Sequence, residues 1–271
     1  MSEQWRRSVN DGNDISIVTG LRRLRIECLD VVKPDTIIVI DTHWYSTFEH
    51  IVSAHANRAG VYTSEELPRG LNQIPYAFDG DPDLAHLIAA QAEGRDDTWI
   101  HASVDDALPI HYPTVNLLPY LQRPNEKWIT VSICQTATRD DYLLFGKLIA
   151  DAVATSGKRV VLLGSGGLSH KFWSLRELRD HESSSVANIS LAANREADLR
   201  LIGQLSAGDH GSVISGYDDY RKVSPEGRFG HYLIMAGALG GVDWATAGVA
   251  YSDYEAAAGT GQINMWFGPT V

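Results

Sequence analysis

Two histidines in this sequence sit where chemistry could be done. His43 follows the apolar run Thr36–Ile40 across Asp41 and Thr42. His170 ends Gly164-Ser165-Gly166-Gly167-Leu168-Ser169-His170, directly after Val160–Leu163. An imidazole titrates near neutral pH and is a common ligand of transition metals, so a pair can move protons, hold a metal, or both. A single histidine in such a place more often hydrogen-bonds a neighbouring loop; two at equivalent places favour a site. The glycines at 164–167 lack the Gly-Lys-Ser/Thr of a phosphate loop and the G-x-G-x-x-G spacing, and neither Ser165 nor Ser169 sits in G-x-S-x-G. The loop therefore reads neither as a phosphate cradle nor as a nucleophile elbow. Its glycines suit a sharp turn close to a ligand. Glu226, in Ser224-Pro225-Glu226-Gly227, reads by itself as a solvated carboxylate in a surface turn.

The elements that must position these residues follow from hydrophobic pattern. Unbroken apolar runs before His43 and in Val160–Leu163 predict strands covered on both faces of a parallel sheet. In open α/β sheets, reactive groups gather at the carboxyl ends of such strands. Helical spacing covers residues 14–32, stopped by Pro34, and again 81–92, 113–121, 140–155, 196–205 and 230–239. Further strands are expected at 98–103, 128–133, 247–251 and 262–267, with a loop-rich segment at 45–81 and an exposed, mobile stretch at 174–195. No repeat, low-complexity tract or linker divides the chain. The alternation predicts a single α/β domain over residues 1–271, with a mostly parallel central sheet flanked by helices.

Composition narrows the partners. A net charge of −11 argues against nucleic acid, which requires a basic patch to neutralise phosphates. No apolar stretch is long enough to span a membrane, and the polar start Met-Ser-Glu-Gln-Trp-Arg-Arg lacks the core of a signal peptide, so a cytoplasmic protein is expected. Cys28 and Cys134 both lie in apolar runs and read as buried inert thiols.

Four blocks occur in order: Asp35–Trp44, Gly60-Val61-Tyr62-Thr63-Ser64-Glu65-Glu66-Leu67-Pro68, Gly166–His170 and Gly259-Thr260-Gly261-Gln262-Ile263-Asn264. Together they resemble the class III extradiol ring-cleavage dioxygenases, nearest to the 3,4-dihydroxyphenylacetate 2,3-dioxygenases, over about residues 14–267. The resemblance implies the corresponding α/β/α sandwich and extradiol cleavage of a substituted catechol with O₂, in aromatic compound catabolism. It implies Fe(II), with Mn(II) as second choice, held by two histidines and a glutamate with positions left open for substrate. On that resemblance His43 matches the second histidine ligand and Glu226 the glutamate ligand. His170 matches the acid–base histidine. Tyr112 falls where the family places a polar ring near the substrate, with His111 beside it as a candidate for the same task. Arg176 and Arg179 are candidates for a substrate carboxylate. A homo-oligomer is expected, or alternatively a hetero-oligomer.

The sequence departs from the family in one respect. The family carries its first histidine ligand at the end of a strand upstream of the 14–32 helix, and Met1–Asn13 holds neither a histidine nor a strand-like run. The expectation is a chain that begins late. The competing readings are a non-catalytic partner subunit of a ring-cleavage enzyme and a zinc-dependent hydrolase using the same histidines. His50, His55 and His101 are remote candidates to replace the missing ligand.

Overall fold

The computed structural model describes residues 3–269. Strands β1 (Thr36–Ser46), β2 (His50–Ser53), β3 (Asn57–Tyr62), β4 (Ile74–Asp79), β5 (Ile100–Ser103), β6 (Lys127–Cys134) and β7 (Val160–Ser165) form one seven-stranded sheet. Its main path is β3-β4-β6-β1-β7, and β2 branches from β6 to carry β5. β1 is parallel to both β6 and β7, and β4 to β6, whereas β3–β4 and β2–β6 are antiparallel. The helices are α1 (Glu3–Ser8), α2 (Ser16–Leu24), α3 (Asp30–Val32), α4 (Pro82–Ala90), α5 (Tyr112–Val115), α6 (Leu118–Leu121), α7 (Arg139–Ser156), α8 (Ala192–Ala207), α9 (His210–Ser215), α10 (Tyr217–Tyr220) and α11 (Gly230–Ala238). The predicted α/β architecture with a largely parallel sheet is present.

β1 explains why an unbroken apolar run was needed. Ile38 and Ile40 join one core with Tyr142, Phe145 and Ile149 of α7 and Leu233 and Ile234 of α11. Ile37 and Val39 face the other way, into Leu21, Leu24, Cys28 and Leu29. Successive side chains of a strand point to opposite faces, so a strand covered on both sides has no polar position to spare. α7 begins at a capping box between Thr138 and Asp141 and ends at Gly157 in the left-handed conformation. Asp81, fully buried, caps α4 and also accepts hydrogen bonds from Thr36 Oγ1 (2.6 Å) and Lys158 Nζ (2.7 Å), which joins the starts of β1 and β7 to α4.

The structure differs from the sequence reading in several places. The 14–32 helix is interrupted by a π turn at Arg25–Leu29 between α2 and α3. Residues 45–81 hold three strands, because the four-residue β2 and the Gly- and Pro-containing β3 and β4 are specified by their neighbours in the sheet more than by their own sequences. The 113–121 helix is two four-residue pieces, α5 and α6. The two late strands are shorter and lie outside the main sheet. β8 (Val249–Ala250) pairs with β11 (Met265–Trp266), and β9 (Glu255–Ala257) with β10 (Thr260–Gln262), all antiparallel. In the 174–195 stretch, Trp173 stacks on His181 at 3.7 Å and donates to Asn188 O at 2.7 Å. Cys28 and Cys134 are buried and unpaired. Among the described residues no helix is long and apolar enough to cross a membrane.

Candidate active site

β1 and β7 are parallel neighbours whose last paired residues are Asp41 and Ser165, so His43 in β1 and the segment that carries His170 both follow the end of that ladder. Beyond Ile40 the register of β1 against β6 shifts before Tyr45, an irregularity that re-aims the side chains within it. His43 lies in that interval. Asp41, 1% exposed, accepts hydrogen bonds from His43 N (3.0 Å) and Thr114 Oγ1 (2.6 Å), fastening α5 to the irregular segment. Burial pushes the Asp41 carboxyl above its ordinary range, opposed by the Thr114 bond and the His111 and His43 charges. The fastened α5 sets Tyr112 against His43, with the hydroxyl 2.5 Å from Nε2 and ring centroids 4.3 Å apart.

Glu226 reaches the same point from a distant part of the chain. Pro225 bridges Ser169, and Glu226 N donates to Leu168 O at 3.1 Å. Gly227, Arg228 and Phe229 then adopt the left-handed conformation in succession before α11 begins. This turn points the carboxylate inward. Glu226 Oε1 lies 2.7 Å from His43 Nε2 and accepts from Thr42 Oγ1 at 3.0 Å, while Oε2 accepts from the Gly167 amide. Burial alone would raise the Glu226 pKa. The His43 bond, the His170 and His43 charges and the Gly167 amide prevail and bring it to about 2. Burial likewise disfavours a charged His43, but the Glu226 carboxylate, with those of Glu66 and Asp41, leaves its pKa above the ordinary value. The approach needs glycine: a methyl group on Gly166 would overlap Thr42, and one on Gly227, at φ +55°, would sit 2.8 Å from Thr42 Cγ2.

His170 lines the same cavity as Glu226. Its amide donates to Ser224 O at 3.1 Å and its ring meets Phe172 edge-on at 4.7 Å. The preceding residue is held tightly: Ser169 donates to Asp198 through its amide (3.0 Å) and hydroxyl (2.7 Å), and Tyr220 and Tyr254 donate to the same carboxylate. His43, Glu226 and Tyr112 are thus in direct contact, with His170 in the shared cavity. His111 lies next in sequence to Tyr112 but is not among the cavity's lining residues. His50 is stacked on Phe145, His55 bonds Ser53 and Asp105, and His101 is exposed on β5, so none of the three replaces a ligand here. Arg176 and Arg179 are exposed and lie outside the cavity wall.

Four further residues belong to the site without having been singled out in the sequence: Thr42, Glu66 (3.2 Å from His43 Nδ1), Asp198 and His231. Burial takes the His231 pKa down to about 4, and its Nδ1 has no hydrogen-bond partner among the described residues. The signal for His231 was a lone polar side chain in the apolar stretch Gly230–Ala238, five residues after Glu226.

The donor set suits a divalent cation. An imidazole nitrogen has one bonding direction, yet His43 Nε2 has both the Glu226 carboxylate and the Tyr112 hydroxyl within hydrogen-bond reach. A cation between nitrogen and carboxylate would relieve that crowding. Among the described residues, no group of three or more His, Cys, Asp or Glu side chains is gathered as a metal-binding set; His43 and Glu226 are the pair that a cation would find in contact.

The family model described as the catalytic LigB subunit of aromatic ring-opening dioxygenase matches residues 2–267. The 3,4-dihydroxyphenylacetate 2,3-dioxygenase of Escherichia coli is 26% identical over 239 residues, covering 85% of this chain and 83% of that protein. The 2-aminophenol 1,6-dioxygenase alpha subunit of a Pseudomonas species is 24% identical over 221 residues, covering 79% of this chain and 78% of that one. The crystal structure of the uncharacterized protein JW3007 from Escherichia coli K12 superposes with a TM-score of 0.65 at 15% identity, covering 93% and 92% of the two chains, a likeness of fold.

Proposed function

This chain belongs to the LigB family of aromatic ring-opening dioxygenases, and from that premise we propose that it cleaves a substituted catechol outside its diol with O₂, acting as one catalytic domain. The observation that carries the reading is the convergence of His43 Nε2 and an ionised Glu226 carboxylate, 2.7 Å apart, with Glu226, Tyr112 and His170 on the wall of a cavity of about 1260 Å³. Fe(II), rather than Mn(II), would be held by these two side chains, with further positions for substrate oxygens and solvent. Bound there, the metal would supply the one-electron path between ring and O₂ that organic side chains lack.

The chain's own residues do the rest. His170 takes a hydroxyl proton from the bound ring on an imidazole nitrogen and later returns it. Burial, reinforced by the Glu226 and Glu66 charges, pushes the Tyr112 phenol far up, so its hydroxyl stays protonated and donates to a substrate oxygen. His111 is a second candidate for that contact. Asp41 keeps His43 and α5 in register, and Leu168 and Phe172 on the cavity wall keep water from the ring.

Loading the full chain anaerobically with Fe(II), then measuring bound iron and O₂ uptake with 3,4-dihydroxyphenylacetate and 2-aminophenol, tests the reading. The expected result is stoichiometric iron and one O₂ consumed per ring opened. Iron retention without uptake on any catechol or aminophenol would end it.

One observation favours a second reading, that of a non-catalytic partner in a hetero-oligomeric dioxygenase. Among the described residues no group of three or more metal-type donors is gathered, and a relative is named as an alpha subunit. That reading expects no bound iron, and an increase in O₂ uptake when the chain joins an active subunit.

A further inference from the structure

Asp198 of α8 is fully buried, and its carboxylate accepts four hydrogen bonds. They come from the Ser169 amide (3.0 Å), the Ser169 hydroxyl (2.7 Å), the Tyr220 hydroxyl (2.9 Å) and the Tyr254 hydroxyl (2.7 Å). None of these donors is a cation. Taking a carboxylate out of water is costly, and here the cost is offset by neutral donors rather than by an ion pair. A carboxylate has two oxygens and about four acceptor directions, so it can take donors from three separate segments at once.

Each of the three segments leads to the candidate site. Ser169 immediately precedes His170. Tyr220 ends α10, meets Phe229 edge-on at 4.8 Å, and opens the run that delivers Glu226 six residues later. Tyr254 precedes the β9–β10 hairpin, where Gly261 accepts from Leu168 N at 2.8 Å and donates to Ser169 O at 3.0 Å. Gly261 lies so close to Asp198 that a methyl group on it would overlap the carboxylate. On its other side the Leu168–Ser169 strip meets the glutamate segment. Ser169 bridges Pro225, Leu168 O accepts from Glu226 N at 3.1 Å, and His170 N donates to Ser224 O at 3.1 Å.

We propose that Asp198 is the positioning residue that gathers His170 and Glu226 into one site. None of its four hydrogen bonds goes to either of them. It fixes the Leu168–Ser169 strip, which is continuous with His170 and hydrogen-bonded to Glu226, and it pins Tyr220 at the start of the segment that carries Glu226. The consequence for activity rests on the ring-opening reading; the consequence for local order does not.

The test uses the metal-free full chain and two variants, Asp198→Ala and the milder Tyr254→Phe, which removes one bond and keeps the ring. Amide hydrogen exchange is followed residue by residue by NMR. The site amides are those of Ser169, His170, Glu226 and Gly261, and the reference amides are those of Ile38 and Val39 in β1, buried and paired with β6. Loss of stability alone speeds both groups by the same factor, whereas local release speeds the site group further. Asp198→Ala is expected to speed the site amides at least tenfold more than the reference amides, and Tyr254→Phe at least threefold more. If Asp198→Ala does not fold, Tyr254→Phe decides. Anaerobic titration with Fe(II) is expected to show at least tenfold weaker binding in Asp198→Ala, the loss typical when a residue that orients a ligand is removed. Equal acceleration of the two groups, unchanged site amides, or undiminished iron affinity would each overturn the proposal. A parent chain that keeps iron and opens no ring would instead end the ring-opening reading, and the exchange result would still decide the role of Asp198.

Discussion

At the scale of single residues, the site is a contest for one nitrogen. His43 Nε2 has a carboxylate and a phenol within 2.7 Å, and it can serve one of them at a time. Removing His43 leaves Glu226 without the partner that most lowers its pKa and takes away half of the converging donor pair. His43→Ala is therefore expected to abolish iron retention, read by metal analysis after desalting; unchanged occupancy would refute the ligand assignment. His170 touches neither partner through that nitrogen, so His170→Phe is expected to keep iron and slow turnover by ~10²–10⁴, the usual contribution of a general acid–base group. Rates equal to the parent's would remove His170 from the mechanism. His43 and His170 were legible because each follows an unbroken apolar run, and the carboxyl ends of such strands are where this fold class exposes reactive groups. Glu226 was legible only through the family resemblance. Its partner lies 183 positions away, and three successive left-handed residues, which no local pattern foretells, turn it inward.

At the scale of elements, two close approaches hold the site together: the loop after β7 against β1, and the turn before α11 against Thr42. Gly227 is needed for its φ of +55° and for the 2.8 Å that a Cβ would leave to Thr42 Cγ2. Gly227→Ala is expected to destabilise by about 1–3 kcal/mol, the cost of a strained left-handed residue, and to lower the urea midpoint accordingly. Gly203 is the control. It lies exposed in α8 with nothing within 4 Å of a would-be Cβ, so Gly203→Ala is expected to stabilise by about 0.5–1 kcal/mol. If both changes moved the midpoint the same way, the close approach at Gly227 would not be the cause. The elements with strong local patterns, β1, β6, β7 and α7, were legible in outline. β2, β3 and β4 were not, because β2 has only four residues and β3 and β4 have exposed positions, so they take their conformation from pairing, as in the Asn57–Asp79 to Tyr62–Ile74 ladder.

At the scale of the whole molecule, the α/β plan was legible from the alternation of patterns, whereas which histidines end up buried was not. The chain holds ten histidines and a charge of −11, so acidification first removes negative self-repulsion. Against that gain stands His50. It is 4% exposed, stacked on Phe145 at 4.1 Å, and held neutral by burial with its pKa at about 4. In the unfolded chain the same group titrates near 6.5. Between those values the unfolded state binds more protons than the folded one, so stability falls as pH falls. The contribution is fully present above about 6.5 and is lost at up to about 1.4 kcal/mol per pH unit down to about 4. Urea midpoints measured from pH 7 to pH 5 are therefore expected to decline, and the decline is expected to shrink by about 2 kcal/mol in His50→Phe, which keeps an aromatic ring on Phe145 and has nothing to protonate. Equal slopes for the two proteins would mean that His50 takes up its proton inside the fold, and that another buried group drives the acid sensitivity.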